Sequence, residues 1–302
     1  MKKLFKKGLA MIMALAMMLV LPMTGINAKA DAVSADPSDV YVSLGADLNE
    51  TERATVLGLL GITEDDLLNY KVGQITNEEE HKYLGEYVDA SVIGTRALSS
   101  VMVIQGKEGE GINVTTKNIN YCTSGMYINA LITAGVENAE VIVAGPFELT
   151  GTAALVGAMK AYSELTGTNI SAESMDAAVD ELVITSSLAD SVVVGAENVE
   201  DLIAFVKAQV VEQDLKDEDA IRTVIQEGAN QLGITITPEE EDSIVSLMEK
   251  ISALDLDADA MKEQATELYN KLEEMGITEE SAKNFLQKLI DAIIEFFQSI
   301  FG

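Results

Sequence analysis

The chain has 302 residues, 48% of them hydrophobic, and sets 50 acids against 20 bases and a single histidine. A formal charge of −30 excludes nucleic acid, whose phosphates such a chain repels, and disfavours electrostatic docking to anionic lipid. One cysteine, Cys122, rules out an internal disulfide, and with no tryptophan and only 5% aromatic residues an aromatic sugar platform is not expected.

The first residues carry Lys2, Lys3, Lys6 and Lys7 without an acid, followed by an apolar run from Leu9 to Leu21. Pro22 and Gly25 break that run, and Ala28-Lys29-Ala30 places small residues where a signal peptidase reads. This is the order of a secretory signal peptide, with cleavage after Ala30. The run is short for a membrane span, which takes about 20 residues. Leu21-Pro22-Met23-Thr24-Gly25 matches a sortase pattern but sits in the leader, where such a signal does not act. The exported part, residues 31–302, keeps all 50 acids and 15 bases, a formal charge of −35.

Asp39–Gly45 alternates as a strand. Asn49 and Glu52 form the capping pattern of a helix that stops at Gly61, and Thr63 with Asp66 repeats it for a second helix. Tyr70–Thr76 reads as a short strand, and Asn77 with Glu80 as the cap of the next helix. Ser99–Gln105 and Ile112–Thr116, with Gly106, Gly109 and Gly111 between them, read as a β-hairpin. A helix is expected over Cys122–Ala134, a central strand over Glu140–Gly145, and a helix capped by Thr150 or Thr152 that runs through Leu165 and is stopped by Gly167. Beyond Ser171 the strand signal fades, Val192–Gly195 being its last candidate. Helices follow at Val199–Gln213, Glu218–Leu232, Glu239–Leu254, Asp259–Met275 and Glu279–Phe301, with apolar residues three and four apart. Leu60-Gly61-Ile62-Thr63, Leu232-Gly233-Ile234-Thr235 and Met275-Gly276-Ile277-Thr278 repeat one corner: a glycine stop, an apolar staple and a capping threonine. The expected class is α+β, with an N-terminal mixed strand and helix domain (37–190) and a C-terminal α-helical bundle region (197–301).

Motifs for chemistry are few. Gly106–Gly111 resembles a phosphate loop but joins two strands and carries two acids. Asp255–Asp259 begins like a calcium loop, but Ala260 and Thr266 stand where glycine and glutamate belong. His81 has no second nitrogen ligand near it in sequence, so no zinc site is expected, and a histidine-based triad would have to recruit this one residue. Lys160 is a candidate base for a serine nucleophile, yet no spacing selects a serine. No metal and no cofactor are expected.

The strongest signal is an absence. Asn118 to Val136 runs 19 residues without a charge in a chain that is 23% charged. Asn118, Thr123, Ser124, Tyr127, Asn129 and Thr133, with Thr150 and Thr152 at the next helix start, are the candidate ligand-binding residues. They suit a neutral hydrogen-bonding pocket whose helix start offers free N–H groups to an anion. At the far end, Leu286, Leu289, Ile293, Phe297 and Ile300 form an apolar stripe suited to packing on the bundle, to peripheral membrane contact or to a partner.

Several segments together resemble the YpuA-like family of exported Gram-positive proteins, a domain of unknown function. They are Val42-Ser43-Leu44-Gly45-Ala46-Asp47-Leu48, Ala97-Leu98-Ser99-Ser100-Val101, Asn118-Ile119, Met126–Gly135, Pro146, Gly151–Leu155 and Lys160-Ala161-Tyr162. The likeness covers most of the exported chain and is densest over residues 95–165. It implies an extracytoplasmic, envelope-associated protein of a Firmicutes-type cell and brings no catalytic residues. The expected role is therefore a non-catalytic envelope protein that binds a cell-wall or protein partner. The alternatives are an envelope hydrolase with a serine or threonine nucleophile and a calcium-dependent scaffold.

Overall fold

The computed structural model describes residues 35–256 apart from 86, 88, 89, 193, 194 and 255. The leader, the helices expected over Asp259–Met275 and Glu279–Phe301, the third glycine corner and all of the calcium-loop lookalike except Leu256 lie outside the described residues. So do residues 193 and 194 of the strand expected at Val192–Gly195, whose two described residues, Val192 and Gly195, are not in a strand.

After a 3-10 turn at Pro37–Asp39, the described elements are β1 (Val40–Gly45), α1 (Glu50–Leu60), β2 (Lys71–Ile75), α2 (Asn77–Leu84), α3 (Ala90–Ile93), β3 (Ser100–Gln105) and β4 (Ile112–Ile119). They continue with α4 (Ser124–Thr133), β5 (Ala139–Leu149), α5 (Thr152–Thr166), α6 (Ala172–Ser191), α7 (Ala196–Glu212), α8 (Glu218–Leu232) and α9 (Pro238–Ile251). The class is α+β: a mixed five-stranded sheet in the N-terminal half, then helices.

Sheet order is β2-β1-β3-β5-β4. Two crossovers, β1–α1–β2 and β4–α4–β5, each supply a parallel pair, as a parallel connection needs an intervening element. Strand β3 joins them, antiparallel to β1 and to β5. The expected hairpin is therefore corrected. Strands β3 and β4 run antiparallel, but β5 lies between them, with Val103 opposite Val141 on one side and Val114 opposite Val141 on the other. Residues 139–145 are apolar enough to be covered on both faces, and they win the central place that chain proximity alone would give to a β3–β4 pair.

The local signals resolve unevenly. Asn49 and Glu52 form the full capping box of α1, and Gly61 closes it in the left-handed conformation (φ 80°). At the second glycine corner Gly233 does the same for α8, and the staples Ile62 and Ile234 are buried. The threonines diverge. Thr63 holds only a 3-10 turn, Asp66–Leu68, through the Asp66 carboxylate, and α9 is capped by Thr237 rather than Thr235. Helix α2 is capped by Thr76 with Glu79 reaching back, one residue before the expected pair, which leaves Glu80 buried beneath the helix. Helix α6, twenty residues long, is absent from the sequence reading.

One core lies where α4, α5 and α6 meet the sheet, built from Val101, Val103, Val141, Val143, Tyr127, Leu155, Met159 and Leu182. A second joins α6 to α7, α8 and α9 through Leu188, Leu202, Phe205, Ile225 and Ile244. Helix α7 is buried nearly all round, as befits a helix packed against four neighbours, α4, α6, α8 and α9. Each large aliphatic side chain so covered contributes roughly 1.5–3 kcal/mol.

Candidate functional site

Strand β4 ends in an irregularity. Its register with β5 shifts between Lys117 and Ile119, where Asn118 takes a left-handed conformation (φ 57°), which asparagine tolerates better than most residues. The Asn118 carboxamide donates to the Gly145 carbonyl at 3.0 Å. The bulge turns the chain into the loop that begins α4, whose N-cap is Thr123, its hydroxyl accepting from Met126 N.

A cleft of about 510 Å³ opens at this carboxyl end of β4. Thr116, Asn120, Thr123, Ser124 and Asn129 supply its uncharged polar wall, and Glu197, Glu200, Asp201 and Ala204 of α7 face them. The position has a general reason: where a parallel strand runs into a helix, the backbone diverges at the strand's carboxyl end and leaves a crevice beside helix N–H groups.

The start of α4 is where an anion is favoured by the unpaired N–H groups and the helix dipole. Here the anion comes from within the chain. The Thr123 hydroxyl donates to Glu200, and a Cβ on Gly125 would sit 1.9 Å from Glu200 Oε2. Glycine at 125 is thus what allows the carboxylate to approach. Asn129, on the next turn of α4, donates to the Glu200 carbonyl at 3.0 Å.

A buried ion pair lies beneath this contact. Lys207 of α7 donates to Glu181 of α6 at 2.8 Å, to the Asn129 carbonyl at 2.8 Å and to the Thr133 hydroxyl at 3.1 Å. Thr133 in turn donates to Glu181. Neither charged side chain has exposed surface. Burial pulls the Lys207 ammonium below its ordinary value, opposed by Glu181, and pushes the Glu181 carboxyl up, opposed by Lys207.

Three of the eight expected residues, Thr123, Ser124 and Asn129, line the cleft. Asn118 shapes its rim through the bulge. Thr133 belongs to the buried network. Tyr127 is wholly buried and donates to the Gly151 carbonyl at 2.5 Å. The Thr150 carbonyl accepts from Cys122 N at 3.2 Å. Thr152 is buried in the first turn of α5. The N-cap of that helix is Gly151 (φ 89°), closely packed on its side-chain face, where a Cβ would meet the Tyr127 hydroxyl at 2.6 Å and Ile119 at 2.7 Å. The acids of α7 were missed, because nothing in their spacing pairs them with a segment some eighty residues earlier.

The chemically versatile side chains are otherwise engaged. His81 Nε2 lies 3.1 Å from the Gly94 carbonyl, as its hydrogen-bond donor. Lys160 is paired with Glu79. Burial pushes the Cys122 thiol up to about 12, so it is a neutral core group. Among the described residues, no group of three or more histidine, cysteine, aspartate or glutamate side chains is placed to hold a metal ion, and no helix is long and apolar enough to cross a membrane.

Residues 44–268 match the family model described as Protein of unknown function (DUF1002). The chain belongs to this family. The chain is also 36% identical over 301 residues to the uncharacterized protein YpuA of Bacillus subtilis (strain 168), spanning 99% of this chain and 98% of that one. The family resemblance read from residues 42–162 is thereby established. No solved structure matches the chain. The matched span of the DUF1002 model contains the whole cleft, both its β4–α4 wall and its α7 wall.

Proposed function

We propose that this DUF1002 protein is an exported, envelope-associated binding protein without catalytic activity, and that the cleft between the β4–α4 corner and α7 holds its ligand. The observation that carries the reading is the cleft of about 510 Å³, with hydroxyl and carboxamide groups on its β4–α4 wall and carboxylates on its α7 wall. A cavity of that size with a few convergent polar groups is the usual form of a small-ligand site. Export rests on the leader of residues 1–30, and the envelope on that leader together with the family resemblance. The absence of catalysis rests on the side chains just described: His81 and Lys160 are held by partners, and the Cys122 thiol is kept protonated.

The test is co-sedimentation of the exported chain, residues 31–302, with purified cell-wall sacculi, with empty liposomes in parallel. The expected result is pelleting with sacculi and none with liposomes. Pelleting with liposomes alone would move the binding surface away from the cleft, and pelleting with neither would overturn the envelope reading.

A further inference from the structure

We infer that the ligand is an extended peptide, which pairs main chain to main chain with the open edge of β4 and sends one end into the cleft. The inference rests on the cleft being the binding site and names the class of molecule that enters it. Strand β4, eight residues long, is the last of the sheet: β5 takes one of its edges, and no described strand takes the other. Successive peptide groups point to opposite sides of a strand, so in a parallel pair every second residue turns both its N–H and its C=O to the same neighbour. The Gly111 carbonyl faces β5, accepting from Ala139 N at 3.0 Å. Asn113, Thr115 and Lys117 therefore face β5 as well, and the main-chain groups of Ile112, Val114 and Thr116 face outward. Edges are commonly guarded by a charge or kept very short. Here the one charge on the strand, Lys117, is drawn away, donating to the Leu59 carbonyl of α1 at 2.6 Å.

Such a row selects a peptide over a sugar. Its donors and acceptors recur at about 6.6 Å, twice the rise of a parallel strand, which is the repeat of another extended main chain. Adding a strand to an open edge is a general mode of peptide recognition, in which main-chain bonds hold the peptide and neighbouring pockets take its side chains. A groove for those side chains lies beside the edge. Ile112, at the start of β4, packs with Ile128 against the pair formed by Ile132 of α4 and Ala208 of α7. At the other end Thr116 and Ile119 lie across the cleft from Ala204 and Glu197. Helix α7 thus runs antiparallel to β4, with Ile128 between them. The register shift between Lys117 and Ile119 ends the edge where the cleft opens, so a peptide paired to Thr116 leaves the strand there and enters the cleft.

The experiment is amide hydrogen exchange, read by NMR on the exported chain, residues 31–302, alone and with three probes. These are a mixture of end-blocked all-L heptapeptides, the same mixture N-methylated at alternate residues, and a chitin oligosaccharide. In the chain alone, the amides of Asn113 and Thr115 are expected to exchange slowly and those of Val114 and Thr116 fast. The heptapeptides should slow Val114 and Thr116 and move the signals of the cleft residues Thr123, Ser124 and Gly125, and the other two probes should do neither. Thr116→Pro removes one outward N–H at an edge position, where proline is tolerated. It should abolish the slowing at Val114 with an unchanged melting temperature, while Thr116→Val, which keeps the N–H, should retain it. Slow exchange at Val114 and Thr116 in the chain alone would show the edge already covered and overturn the inference. Movement of the cleft signals by the oligosaccharide alone, by the methylated mixture as strongly as by the heptapeptides, or by heptapeptides indifferent to Thr116→Pro would overturn the strand pairing and leave the cleft reading standing. No change with any probe would overturn both.

Discussion

Lys207 illustrates how a single residue ties the molecule together. Its ammonium, without exposed surface, reaches α6 through Glu181 and α4 through Asn129 and Thr133. Removing one partner of such a pair leaves the other charge buried and alone. Lys207→Met is therefore expected to cost about 3–5 kcal/mol, and Lys207→Met with Glu181→Leu to recover most of that loss. Urea unfolding of the three chains checks both statements. A single variant as stable as the double one would mean that the pair carries no structural weight.

Glu212, at the end of α7, is the converse case. Its two carboxylate oxygens are buried with no hydrogen-bond partner among the described residues, and burial pushes the carboxyl from 4.5 up to about 8. The folded chain then holds a proton that the unfolded chain releases near 4.5. Stability from this group is full below that value and is lost as the pH rises through about 8. Glu212→Gln should leave the melting temperature nearly unchanged at pH 5 and raise it by about 2–4 °C at pH 9, as about 1 kcal/mol does in a chain of this size. An equal effect at both pH values would contradict the assignment. Glu80, pushed up to about 7 by burial, acts in the same direction.

At the scale of elements, the β4–α4 corner depends on two residues whose reasons differ. Asn118 is required by its backbone and Gly125 by its neighbour. Asn118→Ala loses both the left-handed tolerance and the bond to Gly145, and should cost about 1–3 kcal/mol; Asn118→Gly keeps the backbone and should cost less. Gly125→Ala gains roughly 0.5–1 kcal/mol of helix propensity, but its methyl displaces the Glu200 carboxylate from Thr123. A hydrogen bond to a charged group is worth about 1.5–3 kcal/mol, so a net loss of stability is expected in thermal unfolding. Net stabilisation would show that Glu200 moves aside freely.

The same corner shows what could be read beforehand. The uncharged run from Asn118 to Val136 marked the segment, because a helix buried against neighbours on several sides cannot carry charges cheaply. It did not say which hydroxyls face a cleft. Thr123 and Ser124 do, while Thr133, one helix length further, turns into the Lys207 network. The capping box at Asn49 was legible because both of its partners lie within four residues. The order of β3, β5 and β4 was not, because local spacing describes hairpins and cannot report a strand inserted from later in the chain. Helix α6 escaped because its alanines, serines and acids give a weak apolar period.

At the scale of the whole molecule, the cleft brings together a crossover of the sheet and the first turns of α7, and the buried pair below it holds α7 against α4. This arrangement makes the cleft a property of the assembled fold rather than of either segment. We propose that the cleft is where the exported chain binds the envelope. Ser124, partly exposed on the cleft wall, offers the most direct test. Ser124→Trp fills the cleft from a helix already capped by Thr123. The measurement is sacculus co-sedimentation of this variant beside the unaltered chain, with melting temperatures taken on both. Loss of pelleting at an unchanged melting temperature is the predicted result; pelleting that survives the tryptophan would place the binding surface elsewhere.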